Sequence, residues 1–381
     1  MSFPLAPNAT IGIIGGGQLG RMSALAAARL GYRCHILTPE EDSPAAQVSA
    51  RVTLADYEDH RALRAFAATV DVITFEFENI SAEGLSLLEH LKPVRPSPAI
   101  LRISQYRIAE KTFLNQAGAA TAPWRAVSTP AELEAALSAI GLPAVLKTTR
   151  LGYDGKGQAL LHTQSDAAQA FEELGPKPLI LEGFIDFSQE ISVIVARSAD
   201  GAMAAFDTVE NRHRDHILDL TLAPAPIPEK ISLEAQRIAC RVAEGLELVG
   251  LLAVEMFVDR AGHVLVNELA PRPHNSGHWT IDACPASQFE LHIRAVAGLP
   301  LHPATRHSDA VMKNLVGPEE MALWEKILAT QGLIPHLYGK AEARPGRKMG
   351  HVTRLFPRGA LPGPFGIAAS LGPIAPKITT D

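Results

Sequence analysis

Asn267-Glu268-Leu269-Ala270-Pro271-Arg272-Pro273-His274-Asn275-Ser276-Gly277-His278 is the stretch on which the reading of this chain turns. It follows the apolar run His263-Val264-Leu265-Val266, so it begins as a strand, and Pro271 and Pro273 break it into a loop. It carries two metal-capable groups (Asn267 and Glu268), a fixed cation (Arg272), two imidazoles and a glycine. A second acid, Glu255, lies one strand upstream. Carboxylates beside an arginine and histidines at a strand end are the makings of a magnesium–phosphate reaction centre. A hairpin turn centred on Ala261-Gly262 would set Glu255 directly opposite Glu268 on one face. Two like charges so placed repel and call for a cation between them, and all-oxygen ligands point to Mg²⁺. The competing reading is a raised-pKa or arginine-paired carboxylate. A one-residue slip in register would send the two acids to opposite faces.

Further along the same loop, Arg272 suits a bidentate clamp on an oxyanion or phosphoryl group, and His274 suits orienting a substrate or moving a proton. A loop histidine is more often polar surface, but the density of polar groups between two prolines argues for a site. Lys340-Ala341-Glu342-Ala343-Arg344-Pro345-Gly346-Arg347-Lys348 gathers cations in an otherwise acidic chain. Against the plain reading of a solvated charge run, it reads as an anion site for a substrate phosphate.

Upstream, Ala144-Val145-Leu146-Lys147 ends a strand in a lysine, and Gly152-Tyr153-Asp154-Gly155-Lys156-Gly157 follows. Its glycines allow a backbone that folds over phosphates, and Lys156 adds charge. The spacing is not that of a Walker loop. A long hairpin turn fits the glycines equally well, and Lys147 pointing at the loop tips the reading to nucleotide binding. Leu179-Ile180-Leu181-Glu182-Gly183-Phe184-Ile185 is an apolar strand running into a turn, with Glu190 beyond it. Alone, it reads as a core strand with a surface acid.

Near the N-terminus, Gly15-Gly16-Gly17-Gln18-Leu19-Gly20 sits between a strand (Thr10 to Ile14) and a helix (Arg21 to Leu30) capped by Gly31. Such a turn brings amides and a helix N-terminus up to a phosphate, as in dinucleotide-binding folds. Thr38, however, stands where a ribose-binding acid is expected. A tight turn without cofactor, or one facing a substrate phosphate, remains open. Strands at Cys34 to Leu37 and Asp71 to Phe75 complete an open parallel sheet. The proline cluster Pro93 to Pro98 reads as a linker. Then come a helix over Ser104 to Gln116, a strand over Gln158 to Leu161, a strand over Glu190 to Ala196, a helix over Ser232 to Leu246 and the Leu251–Leu269 hairpin, an α+β region. The tail from Pro357 to Pro376 shows weak periodicity.

A chain of 381 residues holds two or three domains, and 47% hydrophobic with 20% charged residues is ordinary globular composition. A net charge of −6 argues against a general nucleic-acid coat. The three cysteines, Cys34, Cys240 and Cys284, form no CxxC pair, so neither a disulfide framework nor a zinc site is expected. With no basic leader and no apolar run of membrane-spanning length, a cytoplasmic location without membrane partners is expected.

Together these motifs resemble the ATP-grasp superfamily and, within it, the N5-carboxyaminoimidazole ribonucleotide synthetase family. The resemblance rests on Ile13 to Met22, on Gly152 to Gln158, on Asn267 to Arg272 running through His274 to Trp279, on Ser287-Gln288-Phe289-Glu290 and on Arg344 to Lys348. It implies an α/β and α+β protein: a Rossmann-like N-terminal domain (1–98), an ATP-grasp domain (99–300, its lid about 122–186) and a small C-terminal domain (301–381). It implies a homodimer that uses ATP, Mg²⁺ and bicarbonate to carboxylate aminoimidazole ribonucleotide in purine biosynthesis, through carboxyphosphate or CO₂ released from it. Carried residue by residue, Arg107 and Lys147 would contact nucleotide phosphates under a lid made of Gly152, Tyr153, Asp154, Gly155, Lys156 and Gly157. Glu182 and Ile185 would meet the adenine edge, Gly183 and Phe184 would also bind ATP, with Glu190 at the ribose and His213 on the nucleotide side. Glu255 and Glu268 would hold Mg²⁺, with Asn267 beside them. Arg272, His274 and Lys348 would serve the chemistry. Glu76, Tyr153, Asn275, Ser276, Lys340, Arg347 and Lys348 would bind the ribonucleotide.

Departures from the pattern are Ala270, where relatives often carry a third metal-shell Asn, Leu151 for a glycine at the front of the lid, and Thr38. Another ATP-grasp carboxylase or ligase is the first alternative, and a nicotinamide oxidoreductase built on Gly15 to Gly20 the second.

Overall fold

A computed structural model describes residues 3–150, 157–175 and 177–375. The first sheet holds β1 (Thr10–Ile14), β2 (Arg33–Thr38), β3 (Arg51–Leu54) and β4 (Val72–Phe75), all parallel, in the order β3-β2-β1-β4. Ile11, Ile13, Ile14, Val72, Ile73 and Phe75 are buried, as strands covered on both faces require. The helix Gln18–Arg29 packs on this sheet through Ala24 and Ala27, and Gly31 leaves it at a φ of 80°. It starts at Gln18 rather than the expected Arg21, for a reason found in the site below. The proline cluster is no free linker. Val94 bridges Ile73, the Ile73 amide donates to the Pro93 carbonyl, and Pro98 opens the helix Pro98–Ser104. The helix expected over Ser104 to Gln116 is present but starts three residues later, and a separate helix, Pro98–Ser104, precedes it. The second, Arg107–Gln116, begins where the Arg107 amide donates to the Thr149 carbonyl at 3.0 Å.

The second sheet is antiparallel: β5 (Trp124–Val127), β6 (Ala144–Thr148), β7 (Gln158–Leu161) and β8 (Leu179–Gly183), in the order β5-β8-β6-β7. The helices Pro130–Ile140 and Gln164–Leu174 share one core with it.

The remaining strands make one nine-stranded sheet: β9 (Phe187–Arg197), β10 (Met203–Ala205), β11 (Val209–Arg214), β12 (Ile217–Ala223), β13 (Gly250–Asp259), β14 (Val264–Ala270), β15 (Ser308–Val316), β16 (Leu333–Leu337) and β17 (Lys348–Pro357). Its order is β14-β13-β9-β11-β12-β15-β17-β16, with β10 beside β9. The β12–β15 pairing carries the C-terminal strands onto the central sheet. The expected boundary near residue 300 thus lies in a connection rather than between two sheets. The helix Glu229–Gly245 covers one face of β9 and β13. The helix Gln288–Ala297 is buried along most of its length and joins the large sheet to the first one, packing Ile293 and Val296 into the N-terminal core. In the tail, the helix Pro364–Leu371 seats Ile367 and Leu371 against Val352 and Leu333. Among the described residues no helix is long and apolar enough to cross a membrane.

Candidate active site

Strand alternation builds the site. In β9 and β13, Ile191, Val193, Val195, Val254 and Met256 join the core under the helix Glu229–Gly245. The intervening positions place Glu190, Ser192 and Glu255 on the other face, and Ser192 pairs directly with Glu255. Glu255 and Glu268 are cross-strand partners, but not through the turn expected. Near the turn the ladder runs Val258 to Val264 and Met256 to Val266, which would oppose Glu255 to Asn267. A bulge at that point inserts one residue and restores Glu255 opposite Glu268. The side-chain phase records the slip: Val266 and Leu269, three apart, lie in the same core. Lys111 holds the bulge by donating to the Asn267 carbonyl at 2.9 Å, and Glu110 accepts from the Leu269 amide at 2.8 Å.

Each acid leans on a basic side chain from elsewhere. Glu255 lies 3.0 Å from His274 Nε2 and Glu268 lies 3.4 Å from Arg107. Burial alone would raise the Glu255 pKa; His274, then His213 and Arg272, outweigh it and hold the carboxyl well below its usual range. Arg272 reaches back 3.1 Å to Glu78, whose pKa burial raises against the pull of Arg272. The loop is pinned by Gln288, whose side chain accepts from the His274 amide at 2.9 Å and donates to the His274 carbonyl at 2.7 Å. Ser276, expected at the substrate, is fully buried behind His274 and touches its Nδ1 at 2.8 Å. Its reach to a ligand is therefore through the imidazole. Asn275 exchanges amide bonds with Asn314 at 2.7 and 3.0 Å.

On the side expected to hold a nucleotide, buried Glu182 binds Lys147 at 3.0 Å and Lys111 at 3.4 Å. Burial works to raise its pKa, and the two lysines overcome it to keep it ionised. The Glu182 carboxylate, expected at the adenine, is thus committed to holding cations. The amides of Gly183 and Phe184, both expected to bind ATP, donate to the Pro123 and Pro143 carbonyls at 2.8 and 3.1 Å, so neither amide is free for a ligand. Phe184 is exposed and Ile185 half-buried at the strand's end. Glu190 pairs with His213. Burial lowers the imidazole's pKa, but the Glu190 hydrogen bond and charge win and raise it. Gly152, Tyr153, Asp154, Gly155 and Lys156 lie outside the described residues. Gly157, at a φ of 71°, has the Thr148 hydroxyl 2.7 Å from where a Cβ would stand.

The glycine turn is filled by the chain itself. Glu76, at the end of β4, accepts from the amides of Gly17 at 2.7 Å and Gly20 at 3.0 Å. This carboxylate caps the helix in place of an N-cap side chain, which is why the helix begins at Gln18. A Cβ on Gly15 or Gly17 would fall 2.4 to 2.6 Å from Glu76. A pyrophosphate would need those same amides, so a nicotinamide dinucleotide does not fit. Lys340 stands close enough to feel Glu76, and burial, then Arg347, lowers its pKa to about 8. Its ammonium donates to the Lys348 carbonyl at 2.8 Å, while Arg347 donates to the Glu342 carbonyl at 3.0 Å. Lys348 opens β17 at a bulge opposite Val316.

Sequence reasoning passed over Glu78, Glu110 and Lys111, and quoted Gln288 without giving it a role. Glu78 carried a signal, since Glu76 and Glu78 alternate at a strand end. Glu110 and Lys111 resemble any charged pair on a helix.

Three family descriptions match in order: the ribonucleotide synthetase preATP-grasp domain over residues 8–105, the ATP-grasp domain over 112–289 and the phosphoribosylaminoimidazole carboxylase C-terminal domain over 310–359. The N5-carboxyaminoimidazole ribonucleotide synthase of Brucella melitensis is 51% identical over 356 residues, 93% of this chain and 98% of the relative. The chain belongs to the N5-carboxyaminoimidazole ribonucleotide synthase family. Its fold is the ATP-grasp fold with that family's N-terminal and C-terminal domains, and it is an ATP-dependent ligase. A solved member of the family in complex with ADP superposes with a TM-score of 0.89 at 44% identity, over 92% of this chain and 93% of that one. The Aspergillus clavatus synthase, solved with ADP and 5-aminoimidazole ribonucleotide, gives 0.85 at 33% identity, over 92% and 94%.

Proposed function

We propose that this chain carboxylates 5-aminoimidazole ribonucleotide with bicarbonate at the expense of ATP, forming N5-carboxyaminoimidazole ribonucleotide, ADP and phosphate in purine biosynthesis. The observation that carries it is the Glu255–Glu268 pair facing one way beside Arg272 and His274, in a chain 51% identical to a synthase of that name. A bicarbonate oxygen attacks the γ-phosphorus, the bond from that phosphorus to the β-phosphate oxygen breaks, and ADP leaves. The amine nitrogen of the ribonucleotide then attacks the carboxyl carbon of carboxyphosphate. The carbon–oxygen bond to phosphorus breaks, phosphate leaves and the nitrogen gives up its proton.

Arg107 and Lys147, which the Lys111–Glu182 pair adjoins, would meet nucleotide phosphates, with 152–157 as the lid, Glu190 at the ribose and His213 on the nucleotide side. Arg272, His274 and Lys348 would hold bicarbonate and the developing oxyanion, and enclosure would keep water from the labile acid. Glu76, Tyr153, Asn275, Lys340 and Arg347 would form the ribonucleotide side. The donor set suits Mg²⁺: two opposed carboxylates, hard oxygens only, with positions left for phosphate and water. Glu255 and Glu268 would hold it, and when bound it supplies charge neutralisation to the phosphate oxygens. On the family resemblance, the enzyme works as a homodimer in the cytosol.

A coupled ADP assay with each substrate omitted in turn tests the reading. ADP release should require both bicarbonate and aminoimidazole ribonucleotide. Release that ignores both would sink the assignment, and release driven by another acceptor would make the protein a different ATP-grasp ligase.

A further inference from the structure

His274 has two ring nitrogens with different neighbours. Nε2 lies 3.0 Å from a Glu255 oxygen. Nδ1 lies 2.8 Å from the Ser276 hydroxyl and 3.4 Å from the Ser276 amide. A backbone N–H can only donate and an ionised carboxylate can only accept. The two ends therefore agree: the proton sits on Nε2 and the lone pair on Nδ1.

That assignment propagates. If Nδ1 accepts, the Ser276 hydroxyl spends its hydrogen there and must itself accept from Ser192, whose Oγ is 2.8 Å away. Ser192, its hydrogen spent, accepts from the Asn211 amide at 2.9 Å. The Asn211 oxygen in turn accepts from the Thr221 hydroxyl at 3.0 Å. Ser276, Ser192 and Thr221 are fully buried and Asn211 is 4% exposed, so no water competes for these groups. The run crosses three strands, β12, β11 and β9, and ends on the imidazole beside the proposed metal acid.

We propose that Asn211, Ser192 and Ser276 are positioning residues: a one-way hydrogen-bond relay that holds His274 as an Nε2–H donor facing Glu255 and the reacting oxygens. The relay rests on the reading of His274 given above. Gln288 fixes the backbone of the same residue, so the imidazole is set at both its root and its far nitrogen. The role explains why polar side chains occupy this dry layer of the sheet, where apolar residues would pack more cheaply.

The test uses the full-length enzyme with ¹⁵N-labelled histidine, recorded at one alkaline pH, the His274 resonances being identified by their loss in H274N. Wild type should show hydrogen on Nε2 and a bare, hydrogen-bonded Nδ1. S276A should move the Nδ1 resonance towards that of an unbonded nitrogen, and S192A should move it the same way by less. In turnover, S276A should lower kcat about 10-fold with the ATP KM unchanged, S192A should lower it less, and the double variant should match S276A alone. Melting curves check that the variants fold. Hydrogen on Nδ1 in wild type, an Nδ1 resonance indifferent to S192A, or independent losses in the double variant would each overturn the relay. If ADP release proves to depend on a different acceptor, the resonances still decide the relay separately from the substrate.

Discussion

Replacing Glu110 with glutamine should make the protein more stable at neutral and alkaline pH. Glu110 is 1% exposed on the helix Arg107–Gln116, and its carboxyl accepts from the Leu269 amide at 2.8 Å. Burial, opposed by Lys111 and reinforced by Glu268, raises its pKa from 4.5 to about 8. The folded state therefore holds a proton that the unfolded chain releases near its ordinary pKa. Below that value both states are protonated and nothing is lost. Between the two values, stability falls by about 1.4 kcal/mol for each pH unit. Across the whole window the cost reaches a ceiling of roughly 5 kcal/mol, and local relaxation lowers it. E110Q keeps an oxygen for the Leu269 amide and carries no such proton. Urea denaturation of both proteins, followed by tryptophan fluorescence, should show the variant gaining at least about 2 kcal/mol on wild type between about pH 5 and about pH 8. Turnover at neutral pH should persist, because glutamine imitates the protonated acid. A stability difference that stays flat with pH would refute the burial argument.

Other perturbations probe the same layer. K111M removes a buried cation from Glu182 and from the Asn267 carbonyl, and should cost about 3–5 kcal/mol in the same denaturation assay while weakening ATP binding; a loss under about 1 kcal/mol would deny it a structural role. G277A would put a Cβ 2.2 Å from Ile194 and 2.7 Å from Gln288, so it should cost about 1–3 kcal/mol by urea denaturation and reduce turnover beyond that loss by displacing the His274 clamp. Turnover equal to wild type in folded G277A would show that the clamp is dispensable. E268Q should retain ADP binding by calorimetry yet lose at least about 100-fold in turnover, and full activity would remove Glu268 from the metal site.

The first sheet and the Glu255–Glu268 hairpin were legible because each is a local pattern. Alternation assigns faces within β9 and β13, and a glycine turn between strand and helix marks itself. The expected lid residues 152–156 lie outside the described structure. Helix starts were read less well: Gln18 lies inside a helix only because Glu76, far along the chain, supplies the cap. The state of the Gly183 and Phe184 amides was hidden for a similar reason. Whether an amide is free depends on what packs over it, here Pro123 and Pro143.

The sequence by itself determined which chemistry the chain can hold: two acids, a clamping arginine, an imidazole loop and a cluster of cations, in an order that matches one enzyme family. Tertiary structure alone decided how these groups face one another. A strand carries no mark for a bulge, yet one inserted residue at Asn267 sets whether Glu268 meets Glu255 or turns into the core. That choice is made by Lys111 and Glu110, which grip the strand from a helix 156 and 159 residues away in sequence. Contacts between such distant segments leave no periodic trace, because their partners meet only after the chain has folded.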